Sequence, residues 1–239
     1  MKSILFLCLL FPAVLLGQDP LSLDFWSGLN LKYKKKNWTL GVESQLRCDL
    51  RPTSINKGLI NIDADYKWKP NIKIITAFRL SGYSNEYSFL DNRSFAFSNR
   101  IQMGVELDLM GLLGKKTSLE CDLTSRVQYA ISKFEHNELD WRNKITIKYN
   151  SRKRFTPVMS TELFYTPNQF YIFREDGVQT IGAITEWRNS LGMNYALTRK
   201  SDLGVDLIFR KFITKQSSAL VFQVGYSYTF SEAKKKKKK

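Results

Sequence analysis

Residues 94–109 read SFAFSNRIQMGVELDL, and two interleaved sets of side chains run through them. Phe95, Phe97, Asn99, Ile101, Met103, Val105, Leu107 and Leu109 form one set; Ser94, Ala96, Ser98, Arg100, Gln102, Gly104, Glu106 and Asp108 form the other. The first is almost wholly apolar, and the second is small, polar or charged. After a break at 111–116 the alternation resumes. Leu119, Cys121, Leu123, Val127, Tyr129 and Ile131 then alternate with Glu120, Asp122, Thr124, Arg126 and Gln128. A period of two puts successive side chains on opposite faces of a β-strand, so each face meets a different medium. Strands of soluble sandwiches run to roughly 5–6 residues. A strand that crosses a bilayer needs about 9–11, apolar outside and polar inside. The hairpin over 94–131 fits the second pattern.

Working outward, the same hairpin recurs with variations. Strands are expected at 23–33, 38–48, 58–68, 72–83, 94–109, 118–131, 141–149, 155–165, 185–196, 202–212 and 219–230. Short connections (34–37, 69–71, 111–116, 150–154, 197–200) alternate with longer ones (49–57, 84–92, 132–139, 166–184, 211–218). Short turns on one side and long loops on the other describe an all-β, transmembrane, antiparallel up-and-down β-barrel of about 10–12 strands. A soluble β-sandwich has no reason to alternate its loops this way. An even strand number is the rule for bacterial barrels, so a hidden strand is expected before Leu23 or within 166–184, or one candidate is false. Trp38, Tyr66, Trp68, Tyr149, Phe155 and Tyr195 flank the short turns, and Trp141, Trp187, Phe209 and Phe95 lie nearer the long loops. Two aromatic belts match two membrane interfaces.

The ends carry different messages. Residues 1–17 read as a secretory signal, with Lys2, an apolar run over 4–16 and Gly17 before the cut. The barrel then occupies 18–230, and 231–239 is a tail ending in Lys234–Lys239, expected to be disordered. That tail supplies six of the +15 formal charges. The remaining lysines cluster in turns and do not form one basic face, which argues against nucleic acid. The tail and the basic short turns make peptidoglycan or anionic lipid the candidate partners of that rim. No internal run is long and apolar enough for a transmembrane helix. Cys8 belongs to the leader; Cys48 and Cys121 sit on outward registers, with neither a disulfide framework nor metal-ligand spacing. No metal or cofactor is expected.

The inward face carries the chemistry. Glu43, Asp63, Asp65, Glu106, Asp108, Glu120, Asp122 and Asp206 lie near the short-turn ends of their strands. Arg47, Arg79, Arg100, Arg126, Arg142, Arg188 and Arg210 lie further along, above them; Glu162 and Lys144 break the layering. Charges in a narrow lumen must be solvated or paired, and arginine suits pairing through its fork of donors. Two outcomes follow: an interior filled by salt bridges, or a narrow pore whose arginine layer favours anions. Catalysis is not expected. His136, in the loop 134–138, is the sole histidine, and no motif brings a nucleophile to it. A third reading, a lipid or peptide hydrolase on the loops, would depend on that residue. Loop aromatics such as Tyr87, Phe89, Tyr171 and Phe173 could equally serve adhesion. Substitution at the lumen-facing Gly104 by Ser is expected to be mild, whereas Val105→Arg should not be.

Several short motifs recur in order: Phe25-Trp26; 42–47 (VESQLR); Trp141-Arg142-Asn143-Lys144; Thr156-Pro157 followed by 161–165 (TELFY); Trp187-Arg188-Asn189 with Leu191, Gly192 and Tyr195; and the closing 224–230 (VGYSYTF). In order and spacing the chain resembles an uncharacterised β-barrel family of Bacteroidetes outer-membrane proteins, catalogued as a domain of unknown function. The resemblance implies a bacterial outer-membrane location, lipid contact and no catalytic residues. It also implies assembly by the barrel assembly machinery, reading Tyr226, Tyr228 and Phe230. Barrels of this kind usually end at the aromatic residue; here 231–239 follows.

Overall fold

The computed structural model describes residues 21–50, 53–85, 94–114, 118–132, 138–150, 154–174 and 177–231. The leader, His136 and the lysine tail, on which three of the expectations above rest, lie outside the described residues. So do Tyr87 and Phe89. Eleven strands form: β1 (Leu21–Lys35), β2 (Trp38–Leu50), β3 (Thr53–Lys69), β4 (Ile72–Asn85), β5 (Ser94–Asp108), β6 (Leu119–Ser132), β7 (Glu138–Tyr149), β8 (Phe155–Arg174), β9 (Gly177–Ala196), β10 (Ser201–Phe212) and β11 (Ser217–Ser231). Among the described residues one short helix, α1 (Leu109–Leu112), follows β5. Consecutive strands pair antiparallel and β1 closes onto β11, so the sheet is a closed barrel.

The closing pair is parallel, running in register from Leu21↔Ser218 to Lys34↔Ser231. The fold is therefore a mixed barrel, not an all-antiparallel one. This also disposes of the parity problem. An odd number of strands closes when the first and last run the same way, and among the described residues no twelfth strand is present. The two ends of the barrel chain thus lie on opposite rims. β1 starts on the upper rim, with the β2–β3, β4–β5, β6–β7, β8–β9 and β10–β11 connections; β11 finishes on the lower rim.

Two segments expected as loops are strand. Most of 49–57 extends β2 and β3, leaving only residues 51–52 between them, and most of 166–184 extends β8 and β9 to 20 residues each. The β8–β9 hairpin has register shifts at Phe164/Tyr165 and Thr166/Phe170. Each bulge throws the period of two out of phase and increases local twist. The β5–β6 connection, on the lower rim, carries α1, where Asp108 caps the helix by accepting from the Gly111 N–H at 2.9 Å. On the upper rim, parts of two expected long connections are thus continuations of β2, β3, β8 and β9.

The alternation of 94–131 is the alternation of the wall. Ile101, Met103, Val105, Val127 and Tyr129 are exposed on the outside, while Gln102 and Gln128, on the opposite face, are 2% and 1% exposed. Other strands repeat this. Val42, Ile60, Ile62, Phe78, Ile145, Leu191 and Phe222 face out; Gln45, Asn61, Ser81, Thr124 and Ser160 are buried within. Trp38 packs on Tyr66, and Phe155 on Tyr195, each at 4.8 Å between ring centres beside the lower rim. Cys48 and Cys121 are free thiols on the outward register.

Interior glycines make room for their cross-strand partners. Gly41 faces Asp63, Gly104 faces Arg126 and Gly192 faces Asp206. A Cβ on Gly104 would sit 2.2 Å from the Ser125 carbonyl oxygen and 2.8 Å from Arg126 Cα. Both are backbone atoms that cannot swing aside, so Gly104→Ser is disruptive, contrary to the expectation of a mild effect.

Candidate functional site

The inward charges sit at two heights, and each height has its own cations. Near the lower rim, Lys73 binds Glu106 at 2.5 Å, and Lys148 binds Asp122 at 2.8 Å and Glu120 at 4.0 Å. The lower layer is thus a lysine–carboxylate layer, not a purely acidic one. Asp63 and Asp206 lean over Gly41 and Gly192, and Asp108 is occupied by the α1 cap. Glu43 and Asp65 share the inward register with Asn61 and Asp63.

Higher in the lumen, Arg47, Arg79, Arg100, Arg142, Arg188 and Arg210 line one cavity of about 280 Å³. Arg126 is the member of the expected arginine layer that this cavity leaves out; its Nε is buried without a hydrogen-bond partner. The cavity also carries Lys57, Lys215, Glu138, Asp140 and Glu186 on its lining. Asp140 is spent on neutral donors, accepting from Gln128 Nε2 and Thr166 Oγ1, both at 2.6 Å.

The six arginines divide between two walls. On β7–β10 they are held by two buried glutamates. Glu186 accepts a fork from Arg188 (Nε to Oε1, 2.6 Å; Nη2 to Oε2, 2.8 Å) and a further bond from Arg210 Nε at 2.6 Å. Glu162 accepts from Arg142 Nη2 at 2.6 Å and faces Arg188 Nη1 at 3.7 Å. Fork-to-fork geometry of this kind is the strong form of the arginine–carboxylate pair. Aromatic rings support the guanidinium groups from beneath. Arg142 and Arg188 lie 4.5 and 4.2 Å from the Phe164 ring centre, and Arg210 lies 4.5 Å from that of Phe212.

On β2–β5 the arrangement differs. Arg47 stacks 3.9 Å from the Trp26 ring centre and donates to Gln45 Oε1 at 2.8 Å, a neutral acceptor. Arg79 and Arg100 are direct cross-strand partners. Among the described residues, none of these three makes an ion pair with a carboxylate. The Nε atoms of Arg79 and Arg142 are buried without hydrogen-bond partners.

The recurrent Trp-Arg-Asn motif explains how the paired wall is built. In β7 and β9 the arginine points inward to Glu162 and Phe164 of the intervening β8. The tryptophan points outward and reaches diagonally across the preceding strand: Trp141 Nε1 donates to Ser125 Oγ at 2.8 Å, and Trp187 Nε1 to Thr161 Oγ1 at 2.9 Å. One motif, used on both sides of the segment 161–165, fixes arginines inside and anchors the wall outside.

Glu186, Trp26, Phe164 and Phe212 were not singled out as lumen groups from sequence. The signal was present: Glu186 is two residues before Arg188, and Trp26 shares the even register of Asp24, Gly28 and Asn30. Glu186 falls at the edge of the strand expected at 185–196, beside the arginine level and away from the lower carboxylates, and an inward tryptophan does not follow from charge spacing.

These features define a class: a closed β-barrel with an apolar outer wall and a charge-layered, side-chain-filled interior. A family model for proteins of unknown function, DUF2490, matches residues 23–217. The chain therefore belongs to the DUF2490 family. No curated protein matches it.

Proposed function

We propose that the chain is a bacterial outer-membrane β-barrel whose lumen is closed at mid-height by its own side chains. It serves as a membrane-embedded scaffold with a charged interior and conducts weakly at most. The observation that carries this reading is the inversion of the barrel. Large apolar residues such as Met103, 64% exposed, cover the outside, while Gln102, Gln128, Ser81 and Asn61 are buried within. A wall of that character on a monomer in water would expose far more contiguous apolar surface than soluble proteins tolerate; hydrocarbon removes the penalty. Aromatic pairs beside the lower rim suit an interface. A wide aqueous channel would instead leave the interior amides and hydroxyls accessible to water.

The outward Tyr226, Tyr228 and Phe230 of β11 fit recognition by the barrel assembly machinery, as the resemblance implies. Density-gradient fractionation of the producing cell, with heat-modifiable migration on gels, tests the location; a cytosolic or freely soluble protein would end this reading. Planar-bilayer recordings test the closure. Purified protein should give no steps of the size expected for an open pore, and regular large steps would replace the closed barrel with a channel.

A further inference from the structure

The arginine-lined cavity carries more cations than carboxylates, and the two walls pair their arginines differently. Its lining holds eight cationic side chains, the six arginines with Lys57 and Lys215, against three carboxylates, Glu138, Asp140 and Glu186. The β7–β10 wall satisfies its arginines with Glu186 and, just behind the lining, Glu162. The β2–β5 wall presents Arg47, Arg79 and Arg100 with no carboxylate partner among the described residues. Guanidinium groups gathered in a narrow space cost energy unless a counter-charge joins them. A fold that needed only a plug could have supplied glutamates here, as it does opposite.

We infer that this cavity is a binding site for a compact oxyanion carrying two or three negative charges, a phosphate-bearing or polycarboxylate small molecule. The charge follows from three arginines that no carboxylate pairs directly among the described residues. Size follows from the volume: about 280 Å³ holds roughly nine waters at about 30 Å³ each, which suits a small molecule and excludes a polymer chain. Chemistry follows from the donors, because planar guanidinium forks match the paired oxygens of phosphate and carboxylate. Arg79 and Arg142 line the cavity from opposite walls, and each has a buried Nε without a hydrogen-bond partner, so neither guanidinium is fully satisfied by the protein. The ligand would bridge the two walls and complete a network that is half built without it.

The site needs only the lumen, so full-length protein in detergent micelles tests it whichever membrane holds the barrel. Calorimetric titration uses inorganic pyrophosphate and citrate, with chloride as the monovalent control. At least one multivalent anion should bind with a dissociation constant below 1 mM-scale concentrations, order of magnitude, at physiological salt, and chloride should not. Which of the two binds better separates phosphate from carboxylate as the natural group. The double variant Arg79→Gln/Arg100→Gln should weaken binding at least tenfold. Asp65→Asn, in the lower layer, should leave it within about twofold, because screening falls off over roughly 8 Å at physiological salt. A second readout guards against misfolding. Without ligand the double variant should melt no lower than the parent, since like charges have been removed, yet it should lose the upward melting shift that the anion gives the parent. Failure of both anions to bind the parent overturns the inference, as does a folded double variant that binds as tightly as the parent.

Discussion

Replacing Glu186 by Gln should move two quantities in opposite directions. Glu186 accepts three bonds from two arginines, at 2.6, 2.8 and 2.6 Å, and its side chain is 10% exposed. Glutamine keeps the shape and one acceptor oxygen but removes the charge and the second acceptor. Breaking a buried ion pair by deleting one partner costs about 3–5 kcal/mol. Arg188 retains Glu162 at 3.7 Å, which places the expected loss near the lower end, about 3 kcal/mol. Urea unfolding in lipid vesicles, followed by tryptophan fluorescence, reads that loss. The same substitution removes one of the three carboxylates lining the arginine cavity. Each unit of anion charge at a separation of order 10 Å and an effective dielectric of about 20 gains roughly 1.7 kcal/mol before screening. Pyrophosphate carries more than one, so it should bind at least about tenfold more tightly to the variant in low salt. A generally damaged barrel would lose both stability and binding. A variant as stable as the parent refutes the role given to Glu186; a folded variant that binds pyrophosphate less tightly refutes the electrostatic reading of the cavity.

The outer wall and the glycine packing offer further tests. Val105→Arg puts a charge on the outward wall, where a mid-membrane arginine costs about 2–4 kcal/mol; Gly104→Ser drives a Cβ into the Ser125 carbonyl. Both should reduce the heat-modifiable folded band, and a fully folded Val105→Arg protein would overturn the outward register. Trp141→Phe and Trp187→Phe each remove one indole–hydroxyl bond. Each should cost about 0.5–1.5 kcal/mol in vesicle unfolding, with the two losses similar because the two motifs are built alike. A loss at one and none at the other would break that equivalence.

What the sequence revealed, and what it hid, divides along one physical line. Wherever a strand keeps a strict period of two between unlike media, as over 94–109 and 119–131, its identity and register are plain from the residues. The charge layers follow from that register, since Arg100, Gln102 and Glu106 cannot change face without carrying Ile101 and Met103 inward. The pattern fails where the backbone slips. Bulges at Thr166/Phe170 and Arg47/Cys48 shift the phase, so the upper parts of β8 and β9 resembled connection. Partner choice was also hidden. Spacing along a strand fixes the height of Glu162 and Glu186, but only the neighbour order in the closed sheet shows that β7 and β9 both deliver an arginine to β8. Gly104 is the same lesson in steric form: its face was legible, and the carbonyl 2.2 Å from its missing Cβ was not.

The parallel seam is the least expected part of the fold, and it has a direct chemical test. In the closing pair Asn30 stands in register with Ser227, both on the inward face. Neighbouring strands lie about 4.8 Å apart, within the Cα separation of about 4.4–6.8 Å that a disulfide spans. Asn30 Oδ1 is buried without a hydrogen-bond partner, so replacing it sacrifices no bond there. In a protein with Cys48 and Cys121 changed to Ser, Asn30→Cys with Ser227→Cys should crosslink under mild oxidation after the barrel has folded. A shifted pair, Asn30→Cys with Val221→Cys, should not, because those positions lie six residues apart along the seam. At about 3.3 Å per residue that offset is roughly 20 Å, far beyond reach of a disulfide. A twelfth strand inserted between β1 and β11 would put both pairs out of range, and a reversed or slipped closure would favour a different partner for residue 30. Efficient crosslinking of 30 with 227 alone is the result that an eleven-strand, parallel-closed barrel requires; its absence in folded protein would return the chain to an even-stranded topology.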